Sequence, residues 1–545
     1  MPNRPRLLPA LIASILVTAA GVSGCANRTD GEGSNAPAAS DASATAMVAA
    51  TPKVDVVELS VADAQAGMVA GRFTSADLVD AYLARIAAID DSGPTLNAVI
   101  ALNPAARADA EALDAERAAG QRRGPLHGIP VLVKDNIDVA GLPTTAGSLA
   151  LANHVPADDA ALVASLRKAG AVILGKTNLS EWANFRSTNS ISGWSSAGGQ
   201  TRNPYVLDRN ACGSSSGTGA AIAASLATVG VGTETDGSIL CPSAVNGLVG
   251  FKPTVGVISP DGIVPISASQ DTAGPMARSI ADAAALMAAM SGLEPIAAPE
   301  AAEPTDDAAV ATAAPLAGKR FGLLRQAMGR HAGLDAATEA AVSRLRAAGA
   351  EVVDAEIPTW GQWGEAELTV LLYEFKDGLN RYLADGPAPI ADLEALIAWN
   401  TANADRAMPW FAQELFDQAQ AKGPLTDAAY REARAQARRL AGEDGVLKVL
   451  RDGGFDAVIA PTTGPAWPID PVLGDHFTSA GYGAAAVAGT PSLTVPMGEI
   501  HGLPVGLSLL GSRDGDSALL SLGAAVEATL AGARRPPAYH PTLQP

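Results

Sequence analysis

Cysteine and histidine are both scarce in this chain of 545 residues, which has three cysteines and six histidines. The sequence contains neither an H-E-x-x-H stretch nor a pair of C-x-x-C stretches, so it gives no support for a metal centre. We expect no metal and no other cofactor. Counting does not exclude a Ser-His-Asp hydrolase, but no histidine lies in a stretch typical of that role. The histidines are His127, His154, His331, His476, His501 and His540.

Basic residues are few relative to acidic ones. The chain has 38 Lys and Arg against 57 Asp and Glu, which gives a formal net charge of −19 at pH 7. An acidic surface repels the phosphates of nucleic acids and of anionic membranes. We therefore expect no nucleic-acid partner, and contact with a membrane only through a lipid anchor.

The apolar run that begins at Leu7 is too short for a membrane span and contains Pro9. Arg4 and Arg6 precede it, as in a secretory signal peptide. The run ends in the residues Val-Ser-Gly-Cys at 22–25, which resemble a bacterial lipobox. We expect 1–24 to be a signal peptide and Cys25 to be lipidated, which predicts a periplasmic or outer-membrane-anchored lipoprotein; ordinary cleavage slightly downstream is the alternative.

Large apolar side chains are almost absent from residues 25–54, which predicts a flexible tether. A similar change of composition predicts a loop or linker at about 295–316. After removal of the signal peptide and modification of Cys25, only Cys212 and Cys241 remain as thiols. One disulfide and two buried thiols are both compatible with the sequence.

The rest of the chain alternates helical and strand patterns, which predicts an α/β fold with a large, mostly buried sheet. Thr74 begins a capped amphipathic helix, and "GIPVLVKD" and "GAVILGK" are short apolar runs typical of buried strands. Ala-rich "GTGAAIAASLAT" predicts a closely packed helix. Further strands are predicted at "KRFGLLR", "DAVIAPTT", "PSLTVP" and "PVGLSLLG", and helices at about 336–348 and 514–530.

Two motif matches fail on physical grounds. "GAVILGKT", residues 170–177, fits the phosphate-binding pattern G-x-x-x-x-G-K-[ST], but its central residues favour a strand where that pattern needs a turned loop. We interpret Lys176 as following a buried strand. The segment "GSSSG", residues 213–217, fits the nucleophile-elbow pattern around Ser215, but the polar residues before it predict no strand.

A set of segments, weak one by one, resembles the amidase signature family when taken in order over about 55–540. The segments are "GPLHGIP…VKDNI", "TTAGS", "GAVILGKTNLSEWANF", "GSSSG", "TETDGSI", "GLVGFKPTVG", "DTAGPMARS", "APTT" and "PSLTVP…GLPVGLSLLG". Within the family the chain is most similar to the bacterial peptide amidases, which remove the C-terminal amide of peptides. The resemblance implies a single amidase domain over 55–545, with helices around a mixed twisted sheet.

The resemblance also implies roles for particular residues. Ser238 corresponds to the acylated nucleophile, Ser214 to a serine that follows a cis peptide bond and relays the proton, and Lys134 to the base. The family's oxyanion hole falls on the backbone N–H groups of Thr235, Asp236, Gly237 and Ser238. Ser215 and its neighbour Ser216 are expected to support the site by hydrogen bonding.

Three positions depart from the commoner family pattern T-D-x-G-G-S-I-R. Glu234 replaces the aspartate, Asp236 the first glycine, and Leu240 the arginine. Asp236 places a carboxylate at the oxyanion loop, which disfavours acidic substrates.

We expect a serine hydrolase that cleaves primary carboxamides, with the C-terminal amide of peptides as substrate. The alternatives are an amidase or aryl-acylamidase for small non-peptide amides, and a non-catalytic peptide-binding lipoprotein on the same scaffold.

Overall fold

Eleven strands of the described residues form one mixed sheet. The structure is a computed structural model, and the residues it describes are 54–292, 316–385 and 390–544. The strands are β1 (Val99–Leu102), β2 (Pro130–Lys134), β3 (Val172–Thr177), β4 (Trp194–Ser195), β5 (Gly199–Gln200), β6 (Val229–Glu234), β7 (Val249–Lys252), β8 (Thr272–Ala277), β9 (Arg320–Leu324), β10 (Glu351–Ala355), β11 (Ala457–Pro461), β12 (Ser492–Ile500) and β13 (Leu503–Leu510). The order of the strands in the large sheet is β1-β3-β2-β6-β8-β7-β12-β13-β11-β9-β10, and β4 and β5 pair separately.

The predicted α/β class and the large mixed sheet are confirmed. Strand β2 pairs in parallel with β3 and β6, and β9 with β10 and β11, whereas the other pairs are antiparallel. Every residue of β2, β3, β6, β7, β8, β11 and β13 is buried. Because successive side chains of a strand point to opposite faces, both faces of the sheet are covered.

Sixteen α-helices lie in the described part of the chain. They are α1 (Val61–Val69), α2 (Ser75–Ile89), α3 (Ala106–Ala118), α4 (Ala161–Lys168), α5 (Ser216–Ala223), α6 (Leu240–Val245), α7 (Ile280–Ser291), α8 (Ala332–Ala347), α9 (Gly364–Asp385), α10 (Leu393–Ala402), α11 (Ala404–Ala407), α12 (Glu414–Gln420), α13 (Ala428–Arg438), α14 (Leu447–Gly453), α15 (Gly483–Ala488) and α16 (Asp516–Thr529). The described residues also contain short 3₁₀ turns at Leu149–Leu151, Glu181–Asn184 and Arg325–Ala327, and one π-helical segment at Arg439–Val446.

Local sequence signals explain where several elements begin. Thr74 caps α2 in a reciprocal capping box with Asp77, as predicted. Helix α5 is fully buried against the sheet, and a Cβ on its Gly217 would lie 2.3 Å from the carbonyl oxygen of Ala98. The small residues of α5 are therefore required for its close approach to the sheet.

The predicted signal peptide, the lipidation site Cys25 and the tether up to residue 53 lie outside the described residues, as does the predicted linker except Leu316. Among the residues that are described, no helix combines the length and apolar character needed to cross a membrane.

Candidate active site

Lys134 ends β2, an interior strand whose other residues are all apolar and buried. Its side chain is fully buried. Burial lowers the pKa of Lys134 to about 7, against the opposing effect of the carboxylates of Asp271 and Glu234. The lysine therefore exists to a large extent as a neutral amine near neutral pH, the form that can accept a proton.

The amine of Lys134 lies between two hydroxyl groups. Its Nζ is 2.8 Å from Ser214 Oγ and 2.8 Å from Thr233 Oγ1, with the Thr233 carbonyl oxygen at 3.4 Å. The side chain of Asn136 also donates to Thr233 Oγ1, at 3.0 Å. A neutral amine has two N–H groups, which Thr233 can accept, and one lone pair. That lone pair is then free for the proton of Ser214.

Ser214 is fully buried and follows a cis peptide bond from Gly213, as the family resemblance implies. Its carbonyl oxygen accepts a hydrogen bond from the N–H of Ser180. A Cβ at Gly213 would lie 2.1 Å from Ser180 Oγ, so only glycine fits before this serine.

Ser238 lies in the loop between β6 and α6, and 9% of its surface is exposed. Its carbonyl oxygen accepts the N–H of Ser215 at 3.2 Å, which brings its loop beside the residue that follows Ser214. Gly237 has φ +77°, and a Cβ there would lie 2.2 Å from the ring of Tyr482. Both the backbone conformation and the lack of space require glycine next to Ser238.

The four predicted oxyanion-hole amides are not equivalent. Within the described part of the chain, the N–H groups of Thr235, Asp236 and Ser238 donate to no protein acceptor. The N–H of Gly237 interacts with the Glu234 carboxylate and helps to lower the pKa of that group, which burial raises. Three of the four amides thus have no protein acceptor, whereas that of Gly237 interacts with a side chain.

The hydroxyl of Ser215 bonds to the end of β6 rather than to Lys134. It donates to the carbonyl oxygen of Thr233 at 3.1 Å and accepts from the N–H of the same residue at 3.2 Å. Ser216 Oγ lies 3.3 Å from Ser180 Oγ. The described residues 201–213 contain no strand that leads into the triplet, which agrees with the rejection of a nucleophile elbow at Ser215.

Cys212 and Cys241 form a disulfide, with their Cα atoms 6.0 Å apart. The sequence left this open. The bond joins the loop that precedes Ser214 to helix α6, which follows Ser238.

A groove of about 590 Å³ lies beside Thr233 and Thr235, and none of Lys134, Ser214 and Ser238 is among the residues that line it. Asn136, Thr233 and Thr235 line it next to the lysine, and α9 and the loops near 154–161 and 255–268 supply the other walls. Its charged lining is predominantly acidic. The charged residues are Asp138, Asp158, Asp159, Asp261, Asp271, Glu374, Asp377 and Arg381.

Asp236 lies near a second carboxylate, that of Glu367, which no sequence pattern predicts. Its side chain remains accessible to solvent, but the surrounding protein, together with Glu367 of α9 and with Glu234, raises its pKa well above the usual value. Burial also raises the pKa of Glu367 to about 7, and Gln270 Nε2 donates to it at 3.0 Å. A ligand that approaches this loop therefore meets the carboxyl groups of Asp236 and Glu367.

Within the described residues, no group of three or more His, Cys, Asp or Glu side chains is arranged to hold a metal ion.

The rejected phosphate-binding match lies in a strand. Lys176 is inside β3 rather than after it, and its Nζ is 3.0 Å from Asp135 Oδ1, with both side chains at most 1% exposed. The strand continues through the lysine because this carboxylate, the Pro143 carbonyl and the Thr144 hydroxyl neutralise and bind the ammonium.

We expect Lys176→Ala to lower the free energy of unfolding by about 3–5 kcal/mol, because it leaves the Asp135 carboxylate buried and unpaired. Urea unfolding of this variant measures the loss, with Lys168→Ala on the exposed end of α4 as a control that should change little. Neither variant should alter ATP binding, since we expect none. ATP binding that disappears in Lys176→Ala would contradict this interpretation.

Comparison with known proteins agrees with the geometry. The amidase family model matches residues 77–520. The crystal structure of the native peptide amidase from Stenotrophomonas maltophilia superposes with a TM-score of 0.81 at 53% identity, covering 88% of this chain and 98% of that one. A structure of peptide amidase with the competitive inhibitor chymostatin gives a TM-score of 0.82 at 54% identity, covering 88% and 99%.

The chain is also similar to a plant protein. A probable amidase of Arabidopsis thaliana is 37% identical over 502 residues, which are 89% of this chain and 92% of that protein. The sheet, the buried lysine beside a serine and this similarity over most of the chain lead to one assignment: the protein is an amide-hydrolysing enzyme that belongs to the amidase family.

Proposed function

We propose that the enzyme hydrolyses the C-terminal amide of peptides to a carboxylate and ammonia, with Ser238 as nucleophile, Ser214 as proton relay and Lys134 as base. The observation that carries this proposal is the 2.8 Å contact between Lys134 Nζ and Ser214 Oγ in a fully buried environment. Burial lowers the pKa of the amine and so favours its neutral form, and the contact gives it a path to a hydroxyl proton.

In the proposed reaction, Lys134 takes the proton of Ser214 as Ser214 takes that of Ser238. The Ser238 oxygen then bonds to the amide carbon, and the N–H groups of Asp236 and Ser238 stabilise the negative oxygen. The proton returns through Ser214 to the amide nitrogen, the C–N bond breaks and ammonia leaves. Water attacks the resulting ester by the same proton path, which releases the carboxylate and restores Ser238.

The groove supports a peptide rather than a simple amide as substrate. Its volume of about 590 Å³ falls in the range of about 300–1,000 Å³ that is typical of sites for larger ligands. A C-terminal amide is uncharged, so the acidic lining of the groove does not repel it, whereas the same lining disfavours anionic ligands. The similarity to peptide amidase structures supports the same substrate class.

Ammonia release from a panel of amides tests the substrate class. We expect kcat/KM for neutral or basic tripeptide amides to exceed that for acetamide by about 10²-fold or more, because only peptides gain binding energy in the groove. A peptide with an internal glutamine and a free C-terminus is the matched control and should release no ammonia. Equal rates for small aryl or aliphatic amides would support the small-amide alternative, and tight peptide binding without turnover the non-catalytic one.

We also propose export with a lipid on Cys25. The Cys212–Cys241 disulfide supports an oxidising compartment. Wild-type protein should partition into detergent, whereas Cys25→Ala should give soluble or unprocessed protein. Mass spectrometry that places the mature N-terminus downstream of residue 25 would contradict the lipid anchor but not export.

A further inference from the structure

The carboxylate of Glu234 spans the loop that carries Ser238. Glu234 ends β6 and is 1% exposed. Its Oε2 accepts the N–H groups of Ile239 at 2.8 Å and Leu240 at 3.0 Å, at the start of α6. One oxygen atom thus joins the residue before the loop to the two residues after it. We call residues 235–238 the nucleophile loop.

The charge of Glu234 has a counter-charge on another strand. Leu240 occupies the position where the family pattern has arginine, so α6 itself brings no cation to the carboxylate. Lys252, the last residue of β7, is fully buried, and it is the cation that lowers the pKa of Glu234. Its Nζ donates to the carbonyl oxygen of Pro253 at 2.9 Å. A buried carboxylate without such a cation would be strongly destabilising.

We propose that Glu234 is a positioning residue: its carboxylate, with Lys252 as counter-charge, fixes the nucleophile loop so that Ser238 and the free amides face the substrate carbonyl. This inference rests on the proposed role of Ser238. It assigns a function to the exchange of the family's aspartate and arginine for Glu234 and Leu240. The longer glutamate reaches the backbone of α6 directly, and Lys252 supplies the charge from β7.

The same carboxylate acts on the base. Its negative charge raises the pKa of Lys134 and so opposes part of the effect of burial. Removing the charge should therefore lower the pKa of Lys134 further. The titratable and charged groups around Glu234, Lys252 and Lys134 are Asp236, Asp271, Tyr482, Arg513 and Asp516, and all of them stay in place in the variants below.

Glu234→Gln is the first test. It keeps the size of the side chain and one carbonyl acceptor but removes the charge. We expect kcat for a peptide amide to fall about 10–100-fold with KM changed less than threefold, because the loop is misplaced in the transition state rather than in substrate binding. The acidic limb of the pH profile of kcat/KM should move to lower pH. The rate of labelling by an active-site phosphonate should fall in parallel with kcat.

Glu527→Gln is the matched control. Glu527 of α16 also accepts a backbone N–H, that of Ile280 at 3.1 Å, and burial also raises its pKa. The Glu527→Gln variant should lower the free energy of unfolding without changing the kcat of the folded enzyme or its pH profile. If Glu234→Gln behaves in the same way, Glu234 is a structural residue only and the proposal is wrong.

Glu234→Asp tests the length of the side chain separately from its charge. It also tests the proposal if Glu234→Gln does not fold. The aspartate keeps the charge but is one methylene short of the α6 amides. We expect kcat to fall, whereas the acidic limb of the pH profile of kcat/KM should stay at the same pH as in the wild type. A wild-type kcat in this variant would overturn the proposal. Failure of the proposed function has a different signature, namely wild-type enzyme that is labelled elsewhere than Ser238.

Discussion

Ser238→Ala should lower kcat for a peptide amide by about 10⁴-fold or more, because it removes the atom that we propose forms the acyl-enzyme. KM should change little, since the groove and the loop backbone remain. A phosphonate that reacts with activated serines reports the same event directly. In the wild type the labelled peptide should contain "TETDGSIL", residues 233–240, and the alanine variant should not be labelled.

Ser215→Ala is the matched control within the serine triplet. Among the described residues, the Ser215 hydroxyl bonds only to the backbone of Thr233. The variant should therefore still be labelled, but more slowly, at a cost of about 1 kcal/mol for the lost hydrogen bond. Labelling of Ser215 itself, together with a single histidine whose replacement abolishes activity, would instead establish a Ser-His-Asp enzyme.

Lys134→Ala should reduce kcat by about 10²–10⁴-fold at neutral pH, the usual contribution of a general base. The reaction needs the neutral amine, and burial lowers the pKa of Lys134 to about 7. Activity of the wild type should therefore be full above about pH 8 and fall as the pH drops through 7, approaching tenfold per unit in more acidic solution.

Initial rates of ammonia release between pH 5 and 9 measure this limb. Lys176 and Lys252, the other two buried lysines near the site, provide no substitute base, because neither of them contacts Ser214. The variant His154→Gln, which changes a buried histidine that contacts Tyr382 in the groove wall, should keep the acidic limb. A limb that survives in Lys134→Ala or is lost in a histidine variant would exclude lysine as the base.

The fold could be predicted to a large extent, since local patterns decide most of it. Apolar runs at "PVLVK" and "VILGKT" became β2 and β3, and the Thr74 capping box begins α2. The strand order could not be predicted, because it depends on pairings between distant segments such as β7 with β12. Lys176 shows a second limit: a charge in a strand depends on a partner, Asp135, that only the folded chain provides.

The candidate site was predicted where its residues lie in family segments. Lys134 and Ser214 are in contact, and the loop of Ser238 lies beside them, whereas the chemical roles stay predictions. Thr233 and Asn136 were missed although they lie in the quoted segments "TETDGSI" and "VKDNI". Their importance depends on their distances from Lys134 and from each other, which only the folded chain shows. Glu367 gave no signal at all, since it reaches Asp236 from a helix more than a hundred residues away.

The disulfide has a consequence for the integrity of the catalytic apparatus. The sequence separation of Cys212 and Cys241 is 29, and α5, β6 and both serines lie between them. These parts therefore belong to one closed covalent ring. A protease that cut the chain once inside this ring would leave Ser214 and Ser238 on fragments that remain joined, so the enzyme can tolerate a nick there that would divide an open chain into two separate pieces.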